Sequence, residues 1–215
     1  MKIAIDGTAA SGKGTLSDNL SKELKLPRLD TGLLYRKLAF IYIKSLKLIP
    51  TQNTIDNSIL KASLKDFDLN DLDLEALKQD LYGNFASRIG KLDFVRNKLK
   101  IIQIEFVENM IKKKGGCILD GRDIGTEILP NADFKFYIDA PIETRAKRRF
   151  KQLCSTSKSI EFKNILLDLE KRDISDKSRK NSPLILAKDS IFIDTEFLNP
   201  RQVLRKALQY VKKIK

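Results

Sequence analysis

The chain has no histidine, and only two cysteines, Cys117 and Cys154, stand among its 215 residues. So few soft ligands exclude a zinc cluster of cysteine and histidine, and two thiols do not make a disulfide framework. No apolar run approaches the length of about 18 residues that reads as a membrane-crossing helix, so no membrane partner is expected. Met1 and Lys2 lead directly into an apolar strand, "IAI". A cleaved secretory leader is therefore not expected, and a reducing cytoplasm is the default location. Internal repeats and low-complexity tails are also missing, which sets aside solenoids and disordered tails.

What the chain has in excess is positive charge. Lysine and arginine number 41 against 28 aspartates and glutamates, a formal net charge of +13. A polyanion within reach would be attracted. Nucleic-acid binding would predict interleaved aromatics or a recognition module, but the most basic stretch, "TRAKRRFKQL", carries one aromatic and no repeated stacking platform. Lysines in "KSLK", "KKKGG" and "YVKKIK" sit where an ordinary solvated surface places them. Nucleic acid is therefore not the expected partner.

Hydrophobic spacing orders the chain into alternating strands and helices. Lys2 to Asp6 reads as a strand and Gly14 to Leu24 as a helix, with leucines at 16, 20 and 24. An extended piece ends at Leu29, and a helix follows from about Thr31 with Asp30 as its N-cap. From Ile49 to Asn84 the texture turns acidic, as in "DFDLNDLDLEALKQDLYGN", without a convincing buried strand. This stretch is expected to be an insertion of short helices. A helix over Asp93–Lys113 leads to the strand "CILDG", then "FKFYIDA", a helix from Pro141, a polar linker "CSTSKS", and a charged helix ending before Pro183. "IFIDT" and "PRQVLRKALQYVKKI" supply the last strand and helix. Continuous apolar strands separated by helices predict an α/β fold with a mostly parallel central sheet flanked by helices.

The chemistry starts at "GTAASGKGT", Gly7, Thr8, Ala9, Ala10, Ser11, Gly12, Lys13, Gly14 and Thr15. A glycine-rich loop between a strand and a helix turns backbone N–H groups toward one centre, and the helix start adds more of them. Lys13 is placed to reach the outer phosphates of a triphosphate, and a hydroxyl in the first helical turn to meet Mg²⁺. The residue after the lysine is Gly14, so that hydroxyl is one place on, at Thr15. "GKGT" is the form seen in nucleoside monophosphate kinases.

A second focus is "CILDGRDIG", whose strand ends in Asp120 with Arg122 and Asp123 just beyond, on the edge where such sheets bind ligands. Asp120 can hold a metal directly or through water, and Arg122 can offer a fork to a phosphate oxygen. Arg36, Arg96, Arg145, Arg148, Arg149, Arg172 and Arg179 also fall near element ends or on charged helices. Phosphoryl transfer between two phosphates has to overcome anion repulsion, which such groups oppose. A basic flap closing over a triphosphate would also exclude water.

Taken in order, "DGTAASGKGT", "LDTGLLYR", "FASRI" with "FVRNKL", "LDGRDIGT" with "LPNADFKFYIDA", "RAKRRFKQL" and "KRDISDKSR" followed by "NSPL" resemble the bacterial cytidylate kinase family, within the nucleoside monophosphate kinases. The resemblance runs from the first strand to the last helix. It implies a P-loop core of about 1–45, 93–152 and 181–215, a monophosphate-binding insertion of about 46–92, and a short lid with its adjoining helix at about 153–180. It implies transfer of the γ-phosphoryl group of ATP to CMP or dCMP with Mg²⁺, by a cytoplasmic monomer.

By position in the matching motifs, Thr31 meets the base and Arg36 the monophosphate, Ser87 and Arg96 flank the nucleoside, and Arg96 reads the base with Asp123. Arg122 holds the accepting phosphate, Arg172 and Asp176 contact sugar and phosphate, and Arg179 reaches toward the transfer site. Arg148 and Arg149 are the lid arginines, with Arg145 beside them. A carboxylate paired with an arginine matches the amino donor and ring acceptors of cytosine, while a uracil carbonyl would face that carboxylate. The attacking phosphate oxygen is already anionic, so no general base is demanded and the lack of histidine is no obstacle. The sequence departs from the family before "FAS", where a small antiparallel sheet with an isoleucine–arginine pair is usual and Leu77-Lys78 stand instead. A trimmed insertion is expected there. Rival readings are a kinase for adenylate, uridylate or shikimate, a P-loop protein that binds nucleic acid, and a protein keeping an inert nucleotide pocket.

Overall fold

The structure, a computed structural model, describes residues 1–46, 55–65, 67–69, 74–77, 79–154 and 161–212. Lys78 and nearly all of the expected polar linker after Cys154 lie outside the described residues. The chain divides into two compact units, Met1–Leu29 with Val107–Lys215, and Asp30–Phe106.

The first unit is built on a five-stranded sheet of order β2-β3-β1-β4-β5. The strands are β1 (Lys2–Gly7), β2 (Arg28–Asp30), β3 (Cys117–Gly121), β4 (Phe134–Asp139) and β5 (Ile191–Asp194). β1 pairs in parallel with β3 on one side and β4 on the other, and β4 with β5. β3 is buried along its whole length and β1 along all but its first residue, which is why these strands are apolar runs rather than alternations. Helices α1 (Lys13–Leu24) and, at the end of the chain, α9 (Pro200–Val211) supply Leu16, Leu20, Val203, Ala207 and Val211 to a core with Ile3, Ile5, Ile118, Phe136, Ile138 and Ile193. α9 begins where the sequence dictates: Asn199 and Gln202 form a reciprocal capping box, and Pro200 fills a first-turn position whose N–H has no helical partner.

Among its described residues, the regular elements of the second unit beyond β2 are all helices. It contains α2 (Thr31–Ser45), α3 (Asn57–Lys65), α4 (Leu74–Leu77), α5 (Asp80–Ile89) and most of α6 (Asp93–Lys114). Asp30 caps α2 as its sequence position predicts, its carboxylate accepting the Gly32 N–H at 3.0 Å. Tyr42 stacks on Phe85 at 5.1 Å between ring centres and accepts the Asp56 N–H on its hydroxyl, which satisfies the polar end of an otherwise buried ring. The expected short helices between 49 and 84 are present, and they share their core with α2.

Two further helices of the first unit, α7 (Ile142–Cys154) and α8 (Phe162–Ser178), pack through Ala146, Ile165 and Leu169, with Phe150 and Phe162 edge to face. α8 stops at Ser178, before Pro183 as expected. Arg179 leaves in an extended conformation and its Nε donates to the Ser182 carbonyl at 2.6 Å, while the Leu184 N–H returns to the Asp176 carbonyl at 2.8 Å. The sequence reading also lacks the single π-helical turn at Ile124–Ile128. It follows from a tertiary bond, described next.

Candidate active site

The loop between β1 and α1 is shaped by two backbone facts. A Cβ on Gly7 would lie 2.0 Å from the Ile138 carbonyl oxygen of β4, so no side chain fits where the loop leaves the sheet. Gly12 takes a left-handed φ of 98° to turn the chain into α1. Inside the loop Ser11 Oγ and Lys13 Nζ both donate to the Thr8 carbonyl, at 3.0 and 3.3 Å, and the Thr8 hydroxyl donates to Asp139. Thr15 is exposed on the first turn of α1.

Two arginines of α7 brace this loop from behind. Arg145 is only 5% exposed; it donates to the Ala9 and Ala140 carbonyls and forms an ion pair of 2.6 Å with Asp173 of α8. Arg148 donates to Thr195 Oγ1 at 2.9 Å, and that hydroxyl donates to the Ser11 carbonyl at 3.0 Å. Thus Arg148, expected at a lid, is tied by way of Thr195 to the loop itself. Burial lowers the Arg148 guanidinium from its ordinary value, against the opposing charge of Asp194. Arg149 is half-buried one residue further along α7.

Beyond β3 the chain is positioned by Asp6, at the end of β1. Its two carboxylate oxygens accept the N–H groups of Ile124 and Gly125 at 2.9 and 2.7 Å. Those bonds hold the start of the π-helical turn, where the Asp123 carbonyl accepts from both Glu127 and Ile128. Burial pushes the Asp6 carboxyl up to about 6 from 3.8, despite the two backbone donors.

This turn presents Arg122 and Asp123 to the end of α8. Arg122 Nε donates to Asp176 Oδ2 at 2.7 Å, and Arg179 lies 3.6 Å from Asp176 Oδ1 and 3.8 Å from Asp123 Oδ1. Burial alone would raise the Asp176 carboxyl, but the guanidinium groups of Arg122, Arg172 and Arg179 override it and hold it below its ordinary value. Burial likewise opposes the charge on Arg122, and the Asp176 carboxylate reverses that. Five residues named from two distant motifs, Arg122, Asp123, Arg172, Asp176 and Arg179, therefore form one network.

Asp120, 1% exposed, faces the other way, toward α1. Arg28 Nη2 and Nε reach its Oδ2 at 2.8 and 3.2 Å.

The remaining expected site residues belong to the helical unit. Thr31 is buried at the first position of α2. Arg36 lies across Gly83, where a Cβ would come within 2.6 Å of Nη2, and donates Nη1 to the carbonyls of Leu77 and Gln79 at 2.7 and 3.1 Å. Ser87 is half-buried on α5. Arg96 is 7% exposed, donates to the Gly90 carbonyl at 3.1 Å and sits 5.7 Å from the centre of the Tyr35 ring. Arg36 and Arg96 are held by backbone carbonyls, and Arg122, Arg145 and Arg179 lie against carboxylates.

The family model for cytidylate kinase matches residues 3–213. The chain belongs to the cytidylate kinase family. It is 38% identical over 211 residues to a cytidylate kinase of Xanthobacter autotrophicus, covering 98% of this chain and 97% of that one. To a cytidylate kinase of Bartonella tribocorum it is 41% identical over 198 residues, covering 92% and 87%. Among solved structures it resembles an uncharacterized protein of Eubacterium ventriosum, with a TM-score of 0.54 at 14% identity over 99% of this chain and 98% of that one. An unliganded sugar kinase of a Janibacter species gives a TM-score of 0.50 at 14% identity, covering 98% and 94%. At such identity the structural likeness shows the fold alone, a P-loop kinase fold.

Sequence reasoning missed Asp6, Arg28, Asp139, Asp173 and Thr195. For this cytidylate kinase family member the clues were a carboxylate inside an apolar strand, "IAIDG", and an arginine inside an apolar extended piece, "LPRLD".

Proposed function

We propose that the protein transfers the γ-phosphoryl group of ATP to CMP or dCMP, giving ADP and CDP or dCDP, as a soluble cytoplasmic monomer. The observation that carries the reading is the network of Arg122, Asp123, Asp176 and Arg179 at the edge of the sheet, in a chain of the cytidylate kinase family. No described helix is long and apolar enough to cross a membrane.

In this reading Gly7–Thr15 bind the triphosphate through the loop N–H groups and the start of α1. Lys13, Arg122, Arg148, Arg149 and Arg179 offset the charge that develops on the transferred group; losing one such contact costs roughly 2–4 kcal/mol of transition-state stabilisation. Arg122, Arg172 and Asp176 orient the acceptor's phosphate and sugar, and Asp123 accepts the cytosine amino group. Thr31, Arg36, Ser87 and Arg96 are the acceptor contacts on the helical unit. Direct in-line attack by an acceptor phosphate oxygen suffices, with positioning and charge doing the catalysis.

Mg²⁺ fits the residues present. It keeps most of its ligands as water and substrate phosphate and needs one or two protein oxygens. Thr15 offers a hydroxyl on the first turn of α1, whereas Asp120 Oδ2 is committed to Arg28 and contributes through water. No group of three or more candidate ligands occurs among the described residues, in keeping with an ion that arrives with its nucleotide. When bound, Mg²⁺ neutralises the phosphate oxygens and holds them in line.

The test is ADP release with ATP and Mg²⁺ against CMP, dCMP, UMP, AMP and GMP, on the protein and on Asp123→Ala. Turnover concentrates on CMP and dCMP and falls in the variant. Faster turnover of UMP or AMP, or none of any monophosphate, overturns the assignment.

A further inference from the structure

Arg28 has no part in the family reading above, yet it meets both Asp120 and Ser17 beside the start of α1. It stands on β2, beside β3, which carries Asp120. Its Nε donates to Ser17 Oγ at 2.8 Å, and Nε and Nη2 both reach Asp120 Oδ2. The Asp120 side chain is 2% exposed and the Arg28 side chain 24%. The same guanidinium lies against the first turn of α1. A Cβ on Gly14 would come within 3.3 Å of Arg28 Nη2 and 3.9 Å of Asp120 Oδ2.

That contact crowds the position after Lys13, where phosphate loops commonly place serine or threonine: a Cβ there would press on the Arg28 guanidinium by a few tenths of an ångström. The space beside the helix start is filled by a side chain arriving from β2. The electrostatic consequence is larger. Asp120 is a buried carboxylate directly behind a helix start read as the seat of a polyanion. Left unneutralised in a medium of low dielectric, it would repel the phosphates that the loop N–H groups attract.

We propose that Arg28 is a positioning residue of the donor site: by forking onto Asp120 and Ser17 across the first turn of α1, it cancels a buried negative charge behind the phosphate cradle and fixes the direction of the Asp120 carboxylate. The inference rests on the reading that Gly7–Thr15 bind ATP. It requires that ATP affinity depend on Arg28 even when no metal is present, and that the dependence vanish when Asp120 loses its charge.

The experiment is calorimetric titration of ATP into wild type, Arg28→Met, Asp120→Asn and the double variant, first in EDTA and then with Mg²⁺, with thermal unfolding of each protein alongside. In EDTA, Arg28→Met binds ATP about tenfold more weakly, the order expected of one uncompensated charge near a bound polyanion. The double variant returns to within about threefold of wild type, because the two changes act on one interaction. Mg²⁺ strengthens binding by a larger factor in Arg28→Met than in wild type. If Arg28→Met does not fold, Arg28→Lys replaces it: keeping the charge without the fork, it holds ATP affinity within about threefold of wild type, and a loss of about tenfold overturns the charge argument. Wild-type ATP binding with Arg28→Met unaffected, or a double variant no better than the single one, overturns this inference alone. Failure of wild type to bind ATP overturns the kinase reading and the inference with it.

Discussion

Asp6 makes the stability of this protein depend on pH in an unusual sense. Its carboxyl is 5% exposed and lies at about 6 rather than 3.8, because burial outweighs the two backbone donors that favour the charged form. A carboxyl raised on folding binds its proton more tightly in the native than in the unfolded chain, so the stability it contributes is present below 3.8 and is lost as pH rises through about 6. At about 1.4 kcal/mol per unit, the interval corresponds to a loss of about 3 kcal/mol. Asp176, held below its ordinary value, works in the opposite sense and at lower pH: its contribution is present above 3.8 and disappears as pH falls through its native value. The perturbation is Asp6→Asn, which keeps the shape and removes the titration. Urea unfolding of wild type and variant is compared from about pH 4.5 to about pH 7.5, where the folded protein is followed by its circular dichroism. The free-energy difference between the two should drift by about 2 kcal/mol toward the variant as pH rises through that window. A difference that stays flat, or drifts toward wild type, refutes the argument that burial dominates at Asp6.

Two other outcomes follow from buried groups of the first unit. Replacing Arg145 by methionine leaves Asp173 buried without its ion pair and should cost about 3–5 kcal/mol in urea unfolding, with part of that cost recovered when Asp173→Asn is added. The Cys117 thiol is buried and pushed up to about 11, chiefly by burial, while Cys154 is exposed at the end of α7. A disulfide reagent should therefore modify one thiol rapidly in the native protein and the second only after unfolding; two rapid reactions would show that β3 is accessible.

Much of the fold was legible because it rests on local signals. The strand, glycine-rich loop and helix at Gly7–Thr15, the Asp30 cap and the Pro200 start each depend on residues within a few positions of one another. The π-helical turn at Ile124–Ile128 was not legible, since its cause is a carboxylate more than 100 residues earlier in the chain. The end of α8 before Pro183 was legible, but its exact place at Ser178 was not. Pro183 marks a limit that any helix must respect, but the chain leaves earlier, where Arg179 turns away from the helix and brings its guanidinium toward Asp176 and Asp123.

The sequence by itself pointed to phosphoryl transfer ahead of its rivals, because it lacks histidine and clustered thiols and carries a phosphate loop followed in order by arginine-rich motifs. Tertiary structure alone decided which charges meet. Arg28 and Asp120, Arg145 and Asp173, Arg122 and Asp176 are pairs across strands and helices, and no spacing in the sequence selects one partner over another. The physical reason is that a motif fixes backbone shape locally, whereas a buried charge takes whichever opposite charge the packing of the sheet and its helices brings within reach.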